Sequence, residues 1–440
     1  MRVAIDGAAW YETFERTPDR AQVVVLQAWQ TEKLRKMKAA NPKLKVLMYR
    51  NLSGMSRADK YGNTGTGVTV QDAQAHPDWF LRNTSGERFT FRDYDYVWAA
   101  DIGLRSFQER WVANTLERLK GDPWDGVLMD DTNPTMFYSY YVDRVAKYPN
   151  DTAYQAATGS AVAYIGPRLR AAGHLVIPNF GSWRVNRDAI TPWLKYVSGG
   201  MEEHFTKYGR SSREGHFTGN DWDNNLATLK QVQGMGKLYL GISHSSQDDR
   251  GAARYGWATM LLGAEGNATF GLHDDYTYES WFPEYGYDLG APRGPESEDA
   301  DGVHRRVFAR GLVLVNPTKE RRRVRFGGRY RGSGIGPSTS TVMQPHTGLV
   351  LLSASERATA QRKRKVRRRA LRVRVSCRQS ARPCRRVITV ALRGSGRRVV
   401  VGRRRVAVRR TARVRVRLSA KGHAALKRGR TLRVSVRARR

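Results

Sequence analysis

The chain contains little cysteine. Cys377 and Cys384 are the only two among 440 residues, so the long segment before them offers no thiol nucleophile and no cysteine metal site. Their close spacing favours a local disulfide and an oxidising setting outside the cytoplasm, and two free thiols in a cytosolic protein are the alternative. We therefore expect an extracellular or cell-surface protein. No signal peptide is visible in the opening Met-Arg-Val-Ala-Ile-Asp-Gly, so this expectation requires a start that is truncated or misassigned.

Two further features are missing. No stretch approaches the roughly 20 consecutive apolar residues that a membrane-spanning helix needs. The first predicted strand is not followed by the glycine-rich turn of a dinucleotide-binding sheet, which disfavours an open doubly wound fold. We predict no cofactor, and no pattern predicts an oligomeric state.

The C-terminal segment has a single acidic residue and no Phe, Tyr or Trp. Residues 355–440 contain 33 Lys and Arg against one acid, Glu356, a formal charge of +32, whereas the other 354 residues carry +5. Runs such as Leu371–Val375 and Ala412–Leu418 alternate apolar residues with arginine, which predicts a folded β module. We expect residues 371–440 to bind an anionic cell-wall polymer or a membrane surface. We expect no specific nucleic acid, because no Phe, Tyr or Trp is present for base stacking, and a nucleic-acid-binding protein is the less favoured alternative.

Apolar, β-branched runs alternate with amphipathic helical patterns through the first 280 residues. Eight such units favour a (β/α)8 TIM barrel, with the first residues as an extra strand or lid. The predicted strands are Gln22–Trp29, Lys45–Asn51, Tyr96–Ile102, Gly126–Asp130, His174–Asn179, Tyr196–Glu203, Lys237–His244 and Asn267–His273. The predicted helices are Thr31–Ala40, Ser106–Leu119, Thr152–Ala172 and Ala252–Leu262.

The pattern changes after Pro292 to short alternating runs that are typical of antiparallel strands. These runs are Arg306–Asn316, Arg321–Phe326, Ser338–Met343 and Gly348–Ser353. The predicted fold class is α/β, a TIM barrel followed by a small antiparallel β-sandwich and a second small all-β module. The predicted domains are a catalytic barrel in 1–292, a β-sandwich in 303–354, a basic linker in 355–370 and the Arg/Val-rich module in 371–440.

The most informative motif is DGVLMDDTNP, residues 125–134. Its apolar part is too short for a helix and ends in Asp130 and Asp131, which is typical of a buried parallel strand that brings acids to its C-terminal end. Catalytic groups of a barrel lie at that end. An Asp that only caps the next helix is the alternative. Polar or ionisable residues end most of the other predicted strands as well, which favours a catalytic barrel.

Hydrolysis of a glycosidic bond needs two carboxyl groups, one to protonate the leaving oxygen and one to attack the sugar or activate water. The clusters Asp130/Asp131 and Glu202/Glu203 can supply them, because their strands are next-but-one neighbours in a barrel. We predict Asp130 as the nucleophile, with Asp131 orienting it or binding a sugar hydroxyl. Glu203 is the preferred acid/base, and Glu202 is the alternative.

Further residues at strand ends are predicted to contact substrate. Aromatic rings can stack on the apolar faces of sugars, although packing in the core or at the rim is the alternative for each ring. The predicted substrate-binding residues are Tyr49, Asn51, Trp98, Asp101, Asn179, Trp183, His244, His273 and Asp274, and further aromatic candidates are Phe205, Tyr276, Tyr278 and Trp281. We predict no metal site. A metal-dependent hydrolase that uses His204, His244 and His273 with Asp274 and Asp275 is a less favoured alternative.

Several motifs resemble those of a known family. The run WDGVLMDDTN resembles the fourth-strand motif of hypothetical glycosyl hydrolase-like family 15, and WFLRNTSGERF, YVWAADIG, GGMEEHF and FARGLVLVNPT with the later GLVLL are similar to other parts of it. The resemblance covers roughly residues 20–353. It implies a (β/α)8 glycoside hydrolase with a C-terminal β-sandwich, a carbohydrate substrate, and catalytic acids at Asp130 and Glu203. The Arg/Val-rich segment resembles small β modules of secreted actinobacterial proteins.

The sequence therefore predicts a glycoside hydrolase that cleaves a polysaccharide or oligosaccharide and is anchored to an anionic surface by its basic module. A barrel that binds carbohydrate without catalysis is the main alternative.

Overall fold

The structure is a computed structural model. It describes residues 3–5, 18, 20–57, 65–91, 94–136, 145–209, 215–274, 281–354, 370–376, 384–392, 399–408, 411–427 and 432–438. The chain divides into two compact units, residues 1–355 and 356–440. Most of the predicted linker and Cys377 lie outside the described residues, so the disulfide stays a prediction. No helix in the described ranges is long and apolar enough to cross a membrane.

The first unit combines strands and helices along the whole segment. Its strands are β1 (Val3–Ile5), β2 (Val23–Leu26), β3 (Lys45–Ser56), β4 (Thr66–Thr69), β5 (Thr90–Phe91), β6 (Tyr94–Ala99), β7 (Gly126–Asp130), β8 (Leu175–Pro178), β9 (Gly199–Glu202), β10 (Leu238–His244), β11 (Ala268–His273), β12 (Ser297–Glu298), β13 (His304–Val307), β14 (Gly311–Asn316), β15 (Arg322–Gly332), β16 (Ile335–Met343) and β17 (Thr347–Ser353). Its helices are α1 (Thr31–Ala40), α2 (Val70–Ala73), α3 (Arg105–Leu119), α4 (Asp151–Ala171), α5 (Arg187–Ile190), α6 (Asn220–Gly234) and α7 (Arg250–Gly263).

Eight of the described strands follow one another in a single parallel order, and β4 pairs parallel with β3 outside it. β1, β2, β3, β7 and β8 pair one after another, and β9, β10 and β11 form a second run. A parallel bridge between Asn179 and Met201 joins the end of β8 to β9. No hydrogen-bonded pairing between β11 and β1 occurs among the described residues. The observed fold is thus α/β with parallel strands, and closure into a barrel stays a prediction.

The predicted third strand is not one of the parallel strands. Tyr96 lies in β6, which pairs antiparallel with the far end of β3 and with β5. The reason is the length of β3, which continues past Asn51 to Ser56 and leaves its last residues free to pair with a hairpin. The first half of β3 lies directly beside β7. β1, in the segment predicted as an extra strand or lid, is one of the parallel strands instead. Because β1, β2 and β3 precede it in the parallel order, the strand of Asp130 is still the fourth.

The parallel strands separate two apolar clusters. One face of the strands carries Val23, Val25, Leu47, Leu128, Ile177, Met201, Leu238, Leu240 and Ile242, which form a cluster of their own. The residues between them, such as Val46, Val127 and Val176, pack in the larger cluster with side chains of the helices. Because both faces are buried, these strands appear in the sequence as continuous apolar runs. A polar residue two positions beyond a member of the smaller cluster lies on that same face.

Residues 297–353 form one antiparallel sheet in the order β12-β13-β14-β17-β15-β16. The predicted strand Arg306–Asn316 is a hairpin of β13 and β14. β17 lies close to α7, because at Gly348 a Cβ would stand 2.2 Å from the carbonyl oxygen of Arg254. An antiparallel sheet is therefore present, and a separate β-sandwich domain stays a prediction.

The second unit contains two antiparallel sheets. β18 (Ala370–Ser376) pairs with β21 (Thr411–Arg417), and β19 (Cys384–Leu392) pairs with both β20 (Val400–Val408) and β22 (Leu432–Ala438). Helix α8 spans Ala420–Lys427. Along β21 the valines Val414 and Val416 are buried in an apolar cluster, whereas Arg413, Arg415 and Arg417 are exposed. The alternation in the sequence thus places valine inside and arginine outside.

Gly126 provides a test of the strand register at the centre of the parallel sheet. A Cβ at Gly126 would lie 2.0 Å from the carbonyl oxygen of Leu175 on β8. We therefore expect Gly126→Ala to push the two strands apart and to lower the free energy of unfolding by ~1–3 kcal/mol in urea denaturation.

The matched control is Gly234→Ala at the end of α6, where no atom lies within 4 Å of the added Cβ. This change should leave stability unchanged or raise it by up to ~1 kcal/mol. Equal stability of the Gly126→Ala variant and the wild type would contradict the pairing of β7 with β8.

Candidate active site

The side chain of Asn179 connects two carboxylates at the ends of β7 and β9. Its Nδ2 atom donates hydrogen bonds to Asp130 Oδ1 and to Glu203 Oε2, each at 2.8 Å. The two acceptor oxygens therefore lie at most about 5.6 Å apart, twice 2.8 Å. Asn179 is only 5 % exposed, so the protein packing holds the amide in place. The result is a pair of acids held at short range by a neutral donor.

The alternation of each strand brings these three side chains to one place. Asp130, Asn179 and Glu203 each follow, by two residues, a member of the smaller apolar cluster, so all three lie at the C-terminal end of the same face. Tyr49 and His244 stand in the same relation to that cluster. The pairs are Leu128–Asp130, Ile177–Asn179, Met201–Glu203, Leu47–Tyr49 and Ile242–His244.

Asp130 accepts two hydrogen bonds. Tyr49 Oη donates to Asp130 Oδ2 at 2.6 Å, and Asn179 donates to Oδ1. Burial raises the pKa of Asp130 and the charge of Glu203 raises it further, whereas the hydrogen bonds from Tyr49 and Asn179 lower it. Burial and the nearby charges of Asp130 and Asp131 raise the pKa of Tyr49 well above its usual range, so its hydroxyl keeps the proton it donates. The two donors therefore stabilise the ionised form of a poorly solvated carboxyl group.

Asp131 differs from its neighbour in conformation and environment. Its φ of 50° lies in the left-handed region, which Asp tolerates better than most residues. Its carboxylate accepts hydrogen bonds from Asn51 Nδ2 at 2.5 Å and from Asn133 Nδ2 at 3.3 Å. Burial, followed by the charge of Asp130, raises the pKa of Asp131 well above its usual range. Asn51 is therefore a hydrogen-bond donor to Asp131, and the two adjacent aspartates differ in their backbone conformation and in their donors.

The adjacent glutamates lie on opposite sides of β9. Glu203 shares Asn179 with Asp130, its side chain is 32 % exposed, and its Oε1 lies 3.8 Å from His244 Nε2. Glu202 is 1 % exposed. Its carboxylate accepts hydrogen bonds from the backbone N–H groups of His204 at 3.1 Å and Arg184 at 3.4 Å. Burial raises the pKa of Glu202 to about 7. Of the two candidate acids, the structure places only Glu203 beside Asp130.

Of the predicted histidines, His244 lies beside Glu203, the charge of Glu203 acts on His204, and His273 is buried at 2 % exposure. His244 and His273 are register partners on β10 and β11, and Asp274 follows β11 directly. The ring of His204 lies 5.1 Å from that of His244, and burial lowers the pKa of His204. In the described ranges no group of three or more His, Cys, Asp or Glu side chains could hold a metal ion.

Two residues predicted to bind substrate are instead structural. Trp183 is fully buried, with its ring 5.0 Å from Phe180 and 5.8 Å from Tyr239, so no face of it can stack on a sugar. Asp101 is buried, forms an ion pair with Lys147 and accepts a hydrogen bond from Tyr148 Oη at 2.5 Å. The positions of Trp183 and Asp101 near the ends of predicted strands did not indicate that these two side chains face the protein interior.

The other aromatic candidates divide into three groups. Phe205 is fully buried and belongs to the core, like Trp183. Trp98 and Trp281 are partly exposed, and Arg20 lies over the ring of Trp281 at 4.3 Å. Tyr276 and Tyr278 lie outside the described residues, as does Asp275.

Sequence reasoning missed two exposed tyrosines beside the site. Tyr94 and Tyr96 are 53 % and 52 % exposed on β6. Burial is the main cause that raises the pKa of Tyr94, followed by Tyr96 and then by the charges of Asp131, Asp130 and Glu203. The charges of the three carboxylates thus act on the phenol of Tyr94. The signal was present as the alternating aromatics of Tyr-Asp-Tyr-Val-Trp, residues 94–98.

The buried carboxyl group of Glu202 predicts a dependence of stability on pH. Its pKa is about 7 in the folded chain against a usual 4.5, so between these values the folded chain holds a proton that the unfolded chain releases. Raising the pH through this window should therefore lower the free energy of unfolding, by up to ~3 kcal/mol. Glu202→Gln should remove this contribution, as measured by urea denaturation from pH 5 to 8.

Glu117→Gln, at an exposed glutamate, is the control and should keep the wild-type pH dependence. A Glu202→Gln variant with the same pH dependence as the wild type would contradict the raised pKa.

Comparisons with known proteins give one family and several distant structures. The model of hypothetical glycosyl hydrolase family 15 matches residues 38–312. No curated protein matches the sequence. A cycloalternan-degrading enzyme from Trueperella pyogenes is 10 % identical with a TM-score of 0.45, over 80 % of this chain and 62 % of that one. A GH36 alpha-galactosidase from Geobacillus stearothermophilus is 11 % identical with a TM-score of 0.41, over 80 % and 56 %.

A noncanonic maltogenic alpha-amylase from Thermotoga neapolitana is 11 % identical with a TM-score of 0.40, over 80 % of this chain and 96 % of that one. The chain thus spans about three fifths of the length of the cycloalternan-degrading enzyme. These structures are too distant to indicate a substrate. The family model, by contrast, matches more than half of the chain and confirms the resemblance found in the sequence. The chain belongs to hypothetical glycosyl hydrolase family 15.

Proposed function

We propose that the chain is a retaining glycoside hydrolase with Asp130 as nucleophile and Glu203 as acid/base. The observation that carries this proposal is the bridge from Asn179, which keeps the nearest oxygens of the two acids within about 5.6 Å. Retaining enzymes have carboxyl groups about 5–5.5 Å apart, whereas inverting enzymes need about 6.5–9.5 Å to admit a water molecule.

The environments of the two acids suit different roles. Asp130 accepts hydrogen bonds from Tyr49 and Asn179, which favour its ionised form, so its oxygen can attack the anomeric carbon. Glu203 is more open to solvent and can give its proton to the leaving oxygen. In the second step Glu203 takes a proton from a water molecule. The oxygen of that water attacks the anomeric carbon and breaks the bond between the sugar and Asp130. Asp131 and its partner Asn51 support the turn that follows Asp130.

We further propose that the parallel strands close into a (β/α)8 barrel followed by a β-sandwich. Eight parallel strands, a bridge between the two runs and an apolar cluster on their inner face support the barrel. The site then lies at the C-terminal mouth, where barrel enzymes carry their catalytic groups. The proposed substrate class is a polysaccharide or oligosaccharide.

The test is release of product from a panel of arabinans, galactans, α- and β-glucans and actinobacterial cell wall. We expect cleavage by the wild type and a loss of at least ~10²-fold in both Asp130→Asn and Glu203→Gln. Glu202→Gln makes the same chemical change one residue away, on the other side of β9, and should stay within a few-fold of wild type.

Two results would contradict the proposal. If Asp130→Asn cleaves within a few-fold of wild type, Asp130 is not the nucleophile. If the folded wild type binds one of these glycans and releases no product, the chain is a carbohydrate-binding barrel without catalysis.

For the second unit we propose binding to an anionic surface, such as an acidic cell-wall polymer or anionic lipid headgroups. Arg413, Arg415 and Arg417 are exposed at alternate positions of β21, which aligns their charges on one face of the strand. A row of charges of one sign on a folded β module attracts a polyanion at long range. The second unit would then act as an anchor, and the first unit would carry out the hydrolysis.

The triple variant Arg413→Gln/Arg415→Gln/Arg417→Gln tests this anchor. Its affinity for teichoic acid or for vesicles with anionic lipid should fall by roughly 10-fold or more, as each such charge contributes about 1 kcal/mol near an anionic surface. Replacement of the same residues by lysine keeps the charge and should keep most of the affinity. Unchanged binding by the glutamine variant would rule out this face as the anchor.

A further inference from the structure

Tyr94 and Tyr96 form a corner of two aromatic rings on β6. Their ring centroids are 6.0 Å apart and the ring planes meet at 79°. About half of each residue is exposed, so the rings present apolar surface to solvent. Trp98 follows on the same face of the strand and packs edge-on against Phe80, with centroids 6.3 Å apart, which supports this end of the strand.

This corner is connected to the proposed active site. β6 pairs with the far end of β3, the strand that supplies Tyr49 and Asn51 to the site. Burial and the neighbouring Tyr96 raise the pKa of Tyr94, and the charges of Asp131, Asp130 and Glu203 raise it further. A ligand that rests on the corner would therefore extend from the carboxylates.

The chemistry of the corner indicates what it binds. Tyrosine combines a large apolar ring with a hydroxyl that can bond to water or ligand, and for this reason it is enriched at binding interfaces. A sugar offers the complementary surface, namely a face of C–H groups rimmed by hydroxyls. The charges of Asp131, Asp130 and Glu203, which act on Tyr94, would repel an acidic sugar, so a neutral sugar fits best.

We propose that the Tyr94–Tyr96 corner binds a neutral sugar unit next to the one whose bond is cleaved. One ring takes the C–H face of the sugar, and the other ring closes against its edge. This proposal rests on the proposed glycosidase function and adds to it a substrate class, because it makes the substrate a chain of neutral sugars.

The test measures binding without turnover, in the full chain carrying Asp130→Asn. Affinity electrophoresis is run in gels that contain arabinan, galactan, dextran or laminarin, at high salt to screen the basic module. We expect at least one of these polymers to retard the protein. Adding Tyr94→Ala/Tyr96→Ala should weaken the binding by roughly 10-fold or more, whereas Tyr94→Phe/Tyr96→Phe keeps both rings and should stay within about 3-fold.

Three results would overturn the proposal. These are retardation of the alanine variant equal to its parent, absence of retardation by all four polymers, and a stronger, tyrosine-dependent retardation by polygalacturonate. Circular dichroism of the alanine variant controls for folding, and the phenylalanine variant separates loss of the rings from loss of the hydroxyls. Because no turnover is measured, a wrong assignment of Asp130 would leave this result unaffected, and the two failures are distinguishable.

Discussion

The site depends on one side chain, the amide of Asn179. Two carboxyl groups at short range repel when both are ionised, and the charge of Glu203 raises the pKa of the buried Asp130. The amide has two N–H bonds, and it donates to Asp130 and to Glu203 at the same length of 2.8 Å. A lysine or arginine there would favour two ionised acids. The neutral amide holds the distance and leaves the two acids free to differ in protonation, which is what an acid/base and a nucleophile require.

The order of the strands makes this arrangement possible. β8 lies between β7 and β9 in the parallel order, through its pairing with β7 and the bridge from Asn179 to Met201. An asparagine at the end of the middle strand can therefore reach both neighbours. Asp130 in turn depends on Tyr49, which comes from β3 on the other side of β7. Four consecutive strands thus contribute one residue each to the centre of the site.

Much of this centre could be predicted from the sequence. The predicted strand Gly126–Asp130 has the observed limits, because an apolar run between Gly and a double Asp has few alternatives. The structure groups Glu203 with Asp130, and the strand alternation that brings them together could be read from the neighbouring apolar Met201. The parts that failed depend on tertiary structure. Because β3 is long, the segment of Tyr96 pairs with its far end as part of a hairpin. Neither the burial of Trp183 nor the ion pair of Asp101 with Lys147 leaves a signal in the local sequence.

The stereochemistry of the product tests the central claim most directly. The claim is that the bridge from Asn179 sets Asp130 and Glu203 at the distance of a retaining pair. Proton NMR of the first product released from a cleaved polysaccharide, recorded before mutarotation, reports the anomer that the enzyme makes. The account predicts the same anomeric configuration as in the substrate. The opposite configuration would show that water attacks directly, and it would contradict the role of Asp130 as nucleophile.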